Sequence, residues 1–454
     1  MNKTVFGTIV FVALLIVIAF LLKSSKTEPP QFSEPVAAID TEVDPNAMNF
    51  PEPPEGAIVF DMAYQGLGGG EDELRYNSYW GFGGQEKETP FIKALKKNVK
   101  NIKLVYNPNY ENAQWSAIEM KKDKPVAFYF DLNADGKVSE NEKFLPVKED
   151  YSAGRITSEF VTPDFIMNSK EGDKIPFRTL LQVNFYNQSS TPSCMWSPSC
   201  VLEGTSTING EQTKLILFSN GFNGSFSDFG RGAYYLKNDE EKVGRNISRH
   251  NLSSIINYNG QFYTMKMEGT HAQDKMVRVL LEKYTGSSGE LTVKLAGNEE
   301  LTSEFTSASI KSTKDQNINF TLSGKQDKLP VSEYKLNSGY VNYSTQDNKW
   351  RLNFTEGPEF AINTDETTTI ELGKPILAVS AIDESKRYEN DTKEQTVYAK
   401  GKTILLSRKV TGVAGENYGY FWNNNSNRSE SIKPEIKIVD SDGKEVASRE
   451  MEYG

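Results

Sequence analysis

The sequence predicts a mainly β protein, with several β-sandwich-like domains behind an N-terminal transmembrane helix and a disordered linker. Residues 5–22 are one uncharged apolar run. Residues 27–56 are rich in proline and acidic residues. Most of the rest divides into short segments of strand composition, bounded by Gly, Asn, Asp and Ser, which is typical of strands joined by turns. A length of 454 residues allows two to four folded domains.

The apolar run "VFGTIVFVALLIVIAFLL" covers residues 5–22, and at about 1.5 Å per residue it is just long enough to cross a bilayer. The next residues, "KSSKTEPP", carry no small-residue cleavage pattern and no cysteine for a lipid anchor. We therefore expect residues 1–26 to be an uncleaved signal anchor, with a cleaved signal peptide as the alternative. Lys3 favours a cytoplasmic N-terminus, although Lys23 and Lys26 oppose it. The large C-terminal region is then periplasmic or extracellular, in a single-pass membrane protein.

Residues 27–56 hold seven prolines, seven acidic residues and no basic residue. Such a segment cannot bury enough apolar surface to fold, and its charges repel one another. We expect a disordered tether that holds the folded body away from the membrane.

Downstream of the tether, residues 57–300 are expected to form one or more β-rich domains, residues 301–372 a β-sandwich-like domain and residues 373–454 a last β-sandwich. Predicted strands lie in "TKLILFSN" (213–220), "QFYTMKM" (261–267), "KMVRVLLEKY" (275–284) and, near the C-terminus, "KPILAVSAID", "KTILLSRKVTG" and "ENYGYFW". "DSDGK" (440–444) is predicted to be a hairpin turn, because Asp-Gly accepts positive φ values.

Two resemblances concern this C-terminal half. The phrase "LPVSEYKL" (329–336) resembles the P-x-G-x-Y strand of prealbumin-like bacterial surface β-sandwiches, but Ser332 stands where that family has glycine. The last eighty residues resemble an immunoglobulin-type sandwich of bacterial envelope proteins. Both resemblances imply an extracytoplasmic β domain.

The segment "DLNADGKVSENE" (131–142) carries the most specific chemistry. Calcium takes six to eight oxygen ligands, and a twelve-residue loop supplies them from its positions 1, 3, 5, 7, 9 and 12. Those positions are Asp131, Asn133, Asp135, Lys137 through its carbonyl, Ser139 directly or through water, and Glu142. Gly136 at position six allows the sharp turn, and Val138 at position eight is an apolar anchor. The loop resembles the EF-hand calcium-binding loop, which implies Ca²⁺ as the bound cofactor.

The flanks of this loop differ from those of an EF-hand. The preceding "KPVAFYF" (124–130) is predicted to be a strand, and Pro146 prevents a long exit helix. A solitary loop has no pair of helices to open, so we expect a structural ion and not a regulatory switch. An acidic turn that binds no metal is the alternative, since Asp, Asn and Gly favour turns by themselves.

The two cysteines, Cys194 and Cys200, lie six residues apart in "PSCMWSPSC". In an oxidising compartment, a local disulfide between them is the expected state. The spacing is not that of a C-x-x-C redox motif, and no histidine lies nearby to complete a metal site.

A formal net charge of −10 argues against a nucleic-acid partner. The two histidines, His250 and His271, form no recognisable catalytic motif, so no catalytic residue is assigned and an enzyme is the less favoured class. We expect a membrane-tethered, calcium-binding protein with a structural or binding role in the cell envelope, with envelope polysaccharide or protein as partner. The alternative is a carbohydrate-active enzyme or carbohydrate-binding protein stabilised by calcium, with sugars stacked on the aromatic residues of "YNSYWGFGG" (76–84).

Overall fold

The computed structural model describes most of the chain from residue 50 to residue 450. The described residues are 50–67, 79–81, 89–105, 116–121, 124–133, 135–152, 154–168, 174–186, 193–219, 224–229, 232–238, 250–269, 276–296, 302–322, 324, 326–344, 349–374, 376–382, 405–423, 430–431, 435–439, 442 and 444–450. The expected membrane span and most of the expected tether lie outside these residues. No helix within the described part of the chain has the length and apolar character needed to cross a membrane.

The described chain is mainly β, as predicted. The strands of its first half are β1 (Ile58–Gly66), β2 (Tyr79–Gly81), β3 (Ile102–Val105), β4 (Ser116–Lys121), β5 (Lys124–Phe130), β6 (Lys143–Phe144), β7 (Lys148–Ser152), β8 (Arg155–Val161), β9 (Phe165–Asn168), β10 (Lys174–Phe177), β11 (Thr179–Tyr186), β12 (Ser193–Pro198), β13 (Cys200–Ile208), β14 (Glu211–Phe218), β15 (Ala233–Asn238), β16 (His250–Asn251), β17 (Ile255–Tyr258), β18 (Gln261–Glu268) and β19 (Val277–Lys283). One α-helix, α1 (Pro90–Asn98), and one 3₁₀ turn (Glu140–Glu142) interrupt them.

In the second half, the described residues form further strands. They are β20 (Ser288–Ala296), β21 (Thr302–Ser312), β22 (Asn319–Leu322), β23 (Gln326–Pro330), β24 (Ser332–Ser344), β25 (Lys349–Thr355), β26 (Glu359–Ile362), β27 (Thr367–Gly373), β28 (Ile376–Ile382), β29 (Leu405–Thr411), β30 (Asn417–Asn423), β31 (Glu430–Ser431), β32 (Glu435–Val439) and β33 (Glu445–Glu450). The pairing of β32 with β33 confirms the hairpin predicted around "DSDGK".

The largest sheet of the first half has eight strands, in the order β16-β15-β14-β13-β1-β19-β18-β17. Strand β1 joins its two halves, because residues Ile58–Met62 pair with β19 and Ala63–Gly66 pair with β13. The sheet curls, so that its two ends approach each other. The hydroxyl groups of Thr213 on β14 and Tyr258 on the far end strand lie 3.3 Å apart.

Two smaller sheets share the apolar core of this curled sheet. One has five strands in the order β2-β12-β11-β8-β7, and the other has four in the order β3-β4-β5-β6. Aromatic side chains of β5 and β12 meet at the centre, where the ring of Trp196 lies 5.4 Å from that of Phe128 and 6.0 Å from that of Phe130. All three side chains are fully buried. The end of β5, from which the acidic loop departs, is therefore fixed in the main core.

The C-terminal half forms a nine-stranded sheet and a three-stranded sheet around a second apolar core. Strand β25 pairs with β30, and β20 pairs in parallel with β27. The expected domain limits at residues 300 and 372 thus fall inside shared sheets, because distant segments pair across both. Sheet pairing of this kind is set by contacts far apart in sequence and is not visible in local patterns.

Candidate functional site

The acidic loop leaves the end of β5 and returns through the 3₁₀ turn into β6. The segment "KPVAFYF" forms strand β5, as predicted, and it pairs with β4 on one side and β6 on the other. Because β5 and β6 are neighbours, the first and last residues of the loop are brought together. A short strand, and not a helix, follows Glu142, which confirms that the loop lacks the exit helix of an EF-hand.

The two end residues of the loop are its buried acids. Asp131 is 2% exposed and Glu142 is 1% exposed. The Glu142 carboxylate accepts hydrogen bonds from the N–H of Leu132 (3.1 Å), the N–H of Ser139 (2.9 Å) and the hydroxyl of Ser139 (2.7 Å). Position twelve of the loop is therefore tied to positions two and nine.

Asp131 is held less completely than Glu142. Its Oδ2 accepts a hydrogen bond from the N–H of Gly136 (3.2 Å), whereas its buried Oδ1 has no hydrogen-bond partner among the described residues. Burial, followed by the nearby negative charge of Glu142, raises the pKa of Asp131 to about 6. A buried carboxylate oxygen without a partner is costly unless a proton or a cation compensates it.

The ligand positions between Asp131 and Glu142 are exposed, and the first two of them form short turns. Oδ1 of Asn133 accepts the N–H of Asp135 (3.1 Å), and Oδ1 of Asp135 accepts the N–H of Lys137 (2.7 Å). These turns carry the chain around Asp131, and the charge of Asp135 lies close enough to contribute to the raised pKa of Asp131. Lys137 and Ser139 are exposed as well.

Gly136 and Val138 are the loop residues that pack against helix α1 and its apolar core. Gly136 adopts a φ of +72°, as its turn position predicts, and a Cβ there would lie 3.0 Å from Cβ of Pro90. Val138 packs against the small apolar core that contains Phe91, so its expected role as an anchor is confirmed.

Helix α1 was not predicted from the sequence, although its signals are present. Thr89 caps the helix by accepting the N–H of Ile92 (3.3 Å), Pro90 follows directly, and two lysines lie in the last turn.

The six predicted ligand positions fit a calcium ion in chemical type. They offer carboxylate, amide, hydroxyl and carbonyl oxygens, and the buried Oδ1 of Asp131 has no partner within the described structure. As they stand, no three His, Cys, Asp or Glu side chains within the described part of the chain converge as metal ligands. The carboxylate of the exposed Asp135 instead accepts the backbone N–H of Lys137 (2.7 Å).

The predicted disulfide is not present, because both cysteines are free and buried. Cys194 lies in β12 and Cys200 begins β13, so the chain between them is extended. Six extended residues span roughly 20 Å, whereas a disulfide needs Cα atoms within about 7 Å. Burial raises the pKa of each thiol to about 12.

The remaining predicted features are only partly described. Of the aromatic stretch 76–84, only β2 (Tyr79–Gly81) is described, and it pairs with β12. His250 begins β16, with its ring 5.4 Å from that of Tyr234, and His271 lies outside the described residues.

Comparison with known proteins gives no relative from which a function can be carried over. No protein-family model matches the chain, and neither the curated proteins nor the solved structures contain a match.

Proposed function

We propose that the loop 131–142 binds one calcium ion, and that the ion has a structural role in an extracytoplasmic, membrane-tethered β protein. The ligands are the side chains of Asp131, Asn133, Asp135 and Glu142, the carbonyl of Lys137 and, directly or through water, Ser139. Bound calcium supplies two positive charges to a loop whose three ligand carboxylates otherwise repel one another. The role is to hold the fold together and not to catalyse a reaction.

The observation that carries this proposal is the incomplete bonding of Asp131. Its side chain is 2% exposed, yet Oδ1 has no partner among the described residues and its pKa is raised to about 6. A turn that merely closed a β connection would place an acid at the surface or satisfy both of its oxygens. The buried, half-satisfied carboxylate at position one therefore favours a cation over the alternative of a metal-free acidic turn.

The position of the loop indicates what the ion would stabilise. Asp131 directly follows Phe130, which packs with Phe128 against Trp196 in the main core. On the other side, Gly136 and Val138 contact the elements around helix α1. An ion in the loop would therefore link β5, β6 and helix α1, and its loss would loosen all three.

Location and partners follow from the sequence features. The uncharged run 5–22 and the acidic tether favour a body held outside the cytoplasmic membrane. Extracellular modules bind calcium with dissociation constants of about 10⁻⁴–10⁻³ M, which suits a single unpaired loop in a calcium-rich compartment. We propose a structural or binding role in the cell envelope, with polysaccharide or another envelope protein as partner.

Calcium titration of residues 50–454 tests this function. We expect binding of one ion by calorimetry and a rise in the thermal unfolding midpoint with CaCl₂, but little effect with MgCl₂, because Mg²⁺ requires a smaller octahedral shell. The stabilisation should reach about 2.7 kcal/mol when free calcium is a hundredfold above its dissociation constant.

Asp131→Asn should abolish the calcium-dependent rise while preserving the shape of the side chain. The matched control is Asp365→Asn, which removes an exposed carboxylate from a turn in the C-terminal half. Its calcium response should equal that of the wild type. Equal calcium responses in Asp131→Asn and the wild type would exclude the loop as the site.

A further inference from the structure

Helix α1 buries one side and exposes a cluster of lysines on the other. The buried side chains are Phe91, Ile92 and Leu95. The exposed residues are Lys93, Lys96 and Lys97 on the helix and Lys100 directly after it. Residues three and four positions apart are neighbours on a helix, so the three helical lysines share one side. These four residues are called the lysine face below.

Helix α1 lies on the outside of the four-stranded sheet. Phe128 and Phe130 of β5 belong to the main core, whereas Ala127 and Tyr129 belong to the small core beneath the helix. Successive side chains of a strand point to opposite faces of its sheet, so the sheet separates the helix from the main core. The lysine face is therefore turned away from the main core.

The lysine face is a local reversal of sign in an acidic protein. Lys93, Lys97 and Lys100 form no ion pair with any residue that the structure describes. The acidic loop contacts the opposite end of the helix, where Gly136 lies against Pro90. Residues 82–124, undescribed ones included, hold nine lysines and five acidic residues, while the whole chain has a net charge of −10. A partner of this face should therefore be acidic.

A segment with the complementary charge belongs to the same chain. Residues 27–49 contain five acidic residues and no basic residue. The acids are Glu28, Glu34, Asp40, Glu42 and Asp44. The segment leads directly to Phe50, whose ring centre lies 4.5 Å from the guanidinium carbon of Arg278 on β19. One end of the acidic segment is therefore attached at the curled sheet.

The segment is long enough to reach the lysine face from that point. An extended chain spans about 3.3–3.6 Å per residue, so Glu28 can lie up to roughly 70 Å from Phe50. A folded body of about 400 residues has a radius of gyration of only about 21 Å. Because both partners belong to one chain, weak ion pairs between them act at a high effective concentration.

We propose that the acidic segment 28–44 folds back and docks on the lysine face of helix α1. The contact is electrostatic, so it is sensitive to salt, which screens exposed charges beyond about 8 Å at physiological ionic strength. Docking would shorten the distance between the folded body and the N-terminal anchor. It does not depend on the calcium proposal.

Zero-length carbodiimide cross-linking of the full chain in neutral detergent tests this proposal, because the reagent joins only carboxylates and amines in contact. The comparison lysines are exposed residues of the second half, Lys283, Lys294 and Lys328. At low salt, the segment 28–44 should be joined to the lysine face at least fivefold more often than to the comparison lysines. About 0.5 M NaCl should remove this preference. Only the monomer band is analysed, which excludes links between two chains.

A triple variant, Lys93→Gln with Lys96→Gln and Lys100→Gln, keeps Lys97 as the reporter. Links between the segment and Lys97 should fall at least threefold, because the neighbouring charges are lost. The matched control replaces the three comparison lysines with Gln and should leave the links to Lys97 unchanged. Unchanged thermal unfolding of both variants shows that they are folded.

Three results would overturn the proposal. The first is an equal yield of links to the lysine face and to the comparison lysines at low salt. The second is an equal yield at Lys97 in the two triple variants. The third is a lysine face without links that is protected from acylation only in phosphatidylglycerol nanodiscs, which would assign the face to an anionic membrane surface.

Discussion

The carboxylate of Glu142 accepts a hydrogen bond from the backbone N–H of Leu132, ten residues earlier in the chain, at 3.1 Å. The last ligand position of the loop is thereby joined to the residue beside its first ligand position, Asp131. The same carboxylate also accepts hydrogen bonds from the N–H and the hydroxyl of Ser139. It therefore holds the loop together even without a bound ion.

Glu142→Gln should therefore reduce stability even without calcium. Glutamine has only one acceptor oxygen, so its NH₂ group would face a backbone N–H. We expect a loss of about 1–3 kcal/mol in the free energy of unfolding, measured by urea denaturation in EDTA. The calcium-dependent stabilisation should also disappear. A variant as stable as the wild type in EDTA would contradict the organising role of this carboxylate.

The raised pKa of Asp131 predicts a pH dependence of the calcium-free protein. The folded-state pKa is about 6 against an ordinary value of 3.8, so the folded state binds this proton more tightly than the unfolded state. The contribution of Asp131 to stability is therefore fully present below about pH 4 and is lost as the pH rises through about 6.

Urea unfolding in EDTA between pH 4 and pH 7.5 measures this effect as the difference between the wild type and Asp131→Asn. Relative to this variant, the wild type should become less stable as the pH rises. The control is the difference in stability between the wild type and Asp365→Asn, whose carboxylate is exposed. This difference should not fall in the same way as the pH rises. If the stability difference between the wild type and Asp131→Asn does not change with pH, the pKa of Asp131 is not raised in the folded state.

Gly136→Ala tests the contact between the loop and helix α1. The new Cβ would meet Pro90 at 3.0 Å, and the φ of +72° is strained for alanine. Gly210→Ala is the matched control, because its φ of +87° imposes similar strain while nothing lies within 4 Å of its Cβ. Both should destabilise by about 1 kcal/mol through backbone strain, and Gly136→Ala should lose more. Equal losses of stability in the two variants would mean that Pro90 moves away from the new Cβ without destabilising the protein.

The local part of this site could be read from the sequence. Asp131, Gly136 and Glu142 belong to a twelve-residue motif, and strand β5 is a short aromatic run, so both signals are contained in neighbouring residues. The burial of Asp131 could not be read in this way, because it depends on how the chain packs in three dimensions. The strands were predicted well where a short segment has strand composition, as in β14 and β18, but their order in the sheets depends on distant pairing.

The cysteines illustrate the same limit. Cys194 and Cys200 are close in sequence, but the chain between them is extended, so nearness along the chain did not give nearness in space.

Reaction with a thiol reagent in the absence of reductant should give no labelling of the folded protein and two thiols per chain after denaturation. Burial and pKa values of about 12 keep both thiols unreactive in the fold. Fewer than two reactive thiols per chain after denaturation would support a disulfide between Cys194 and Cys200.

The last prediction concerns Glu416, which is completely buried in the C-terminal half. Its carboxylate accepts the N–H of Gly373 at the end of β27 (2.7 Å), the N–H of Ala414 (3.0 Å) and the hydroxyl of Tyr418 (2.9 Å). The turn between β29 and β30 is thus attached to the end of β27 by one side chain.

Glu416→Gln should leave at least one of these buried donors without an acceptor, at a cost of about 1–3 kcal/mol in the free energy of unfolding. Tyr418→Phe removes a single donor and should cost less, because the carboxylate keeps its two backbone partners. Glu359→Gln, an exposed carboxylate on β26, is the control and should change stability by under about 0.5 kcal/mol. Urea denaturation measures the free energy of unfolding of the three variants. If Glu416→Gln loses no more stability than the control, the turn is held by its strands alone.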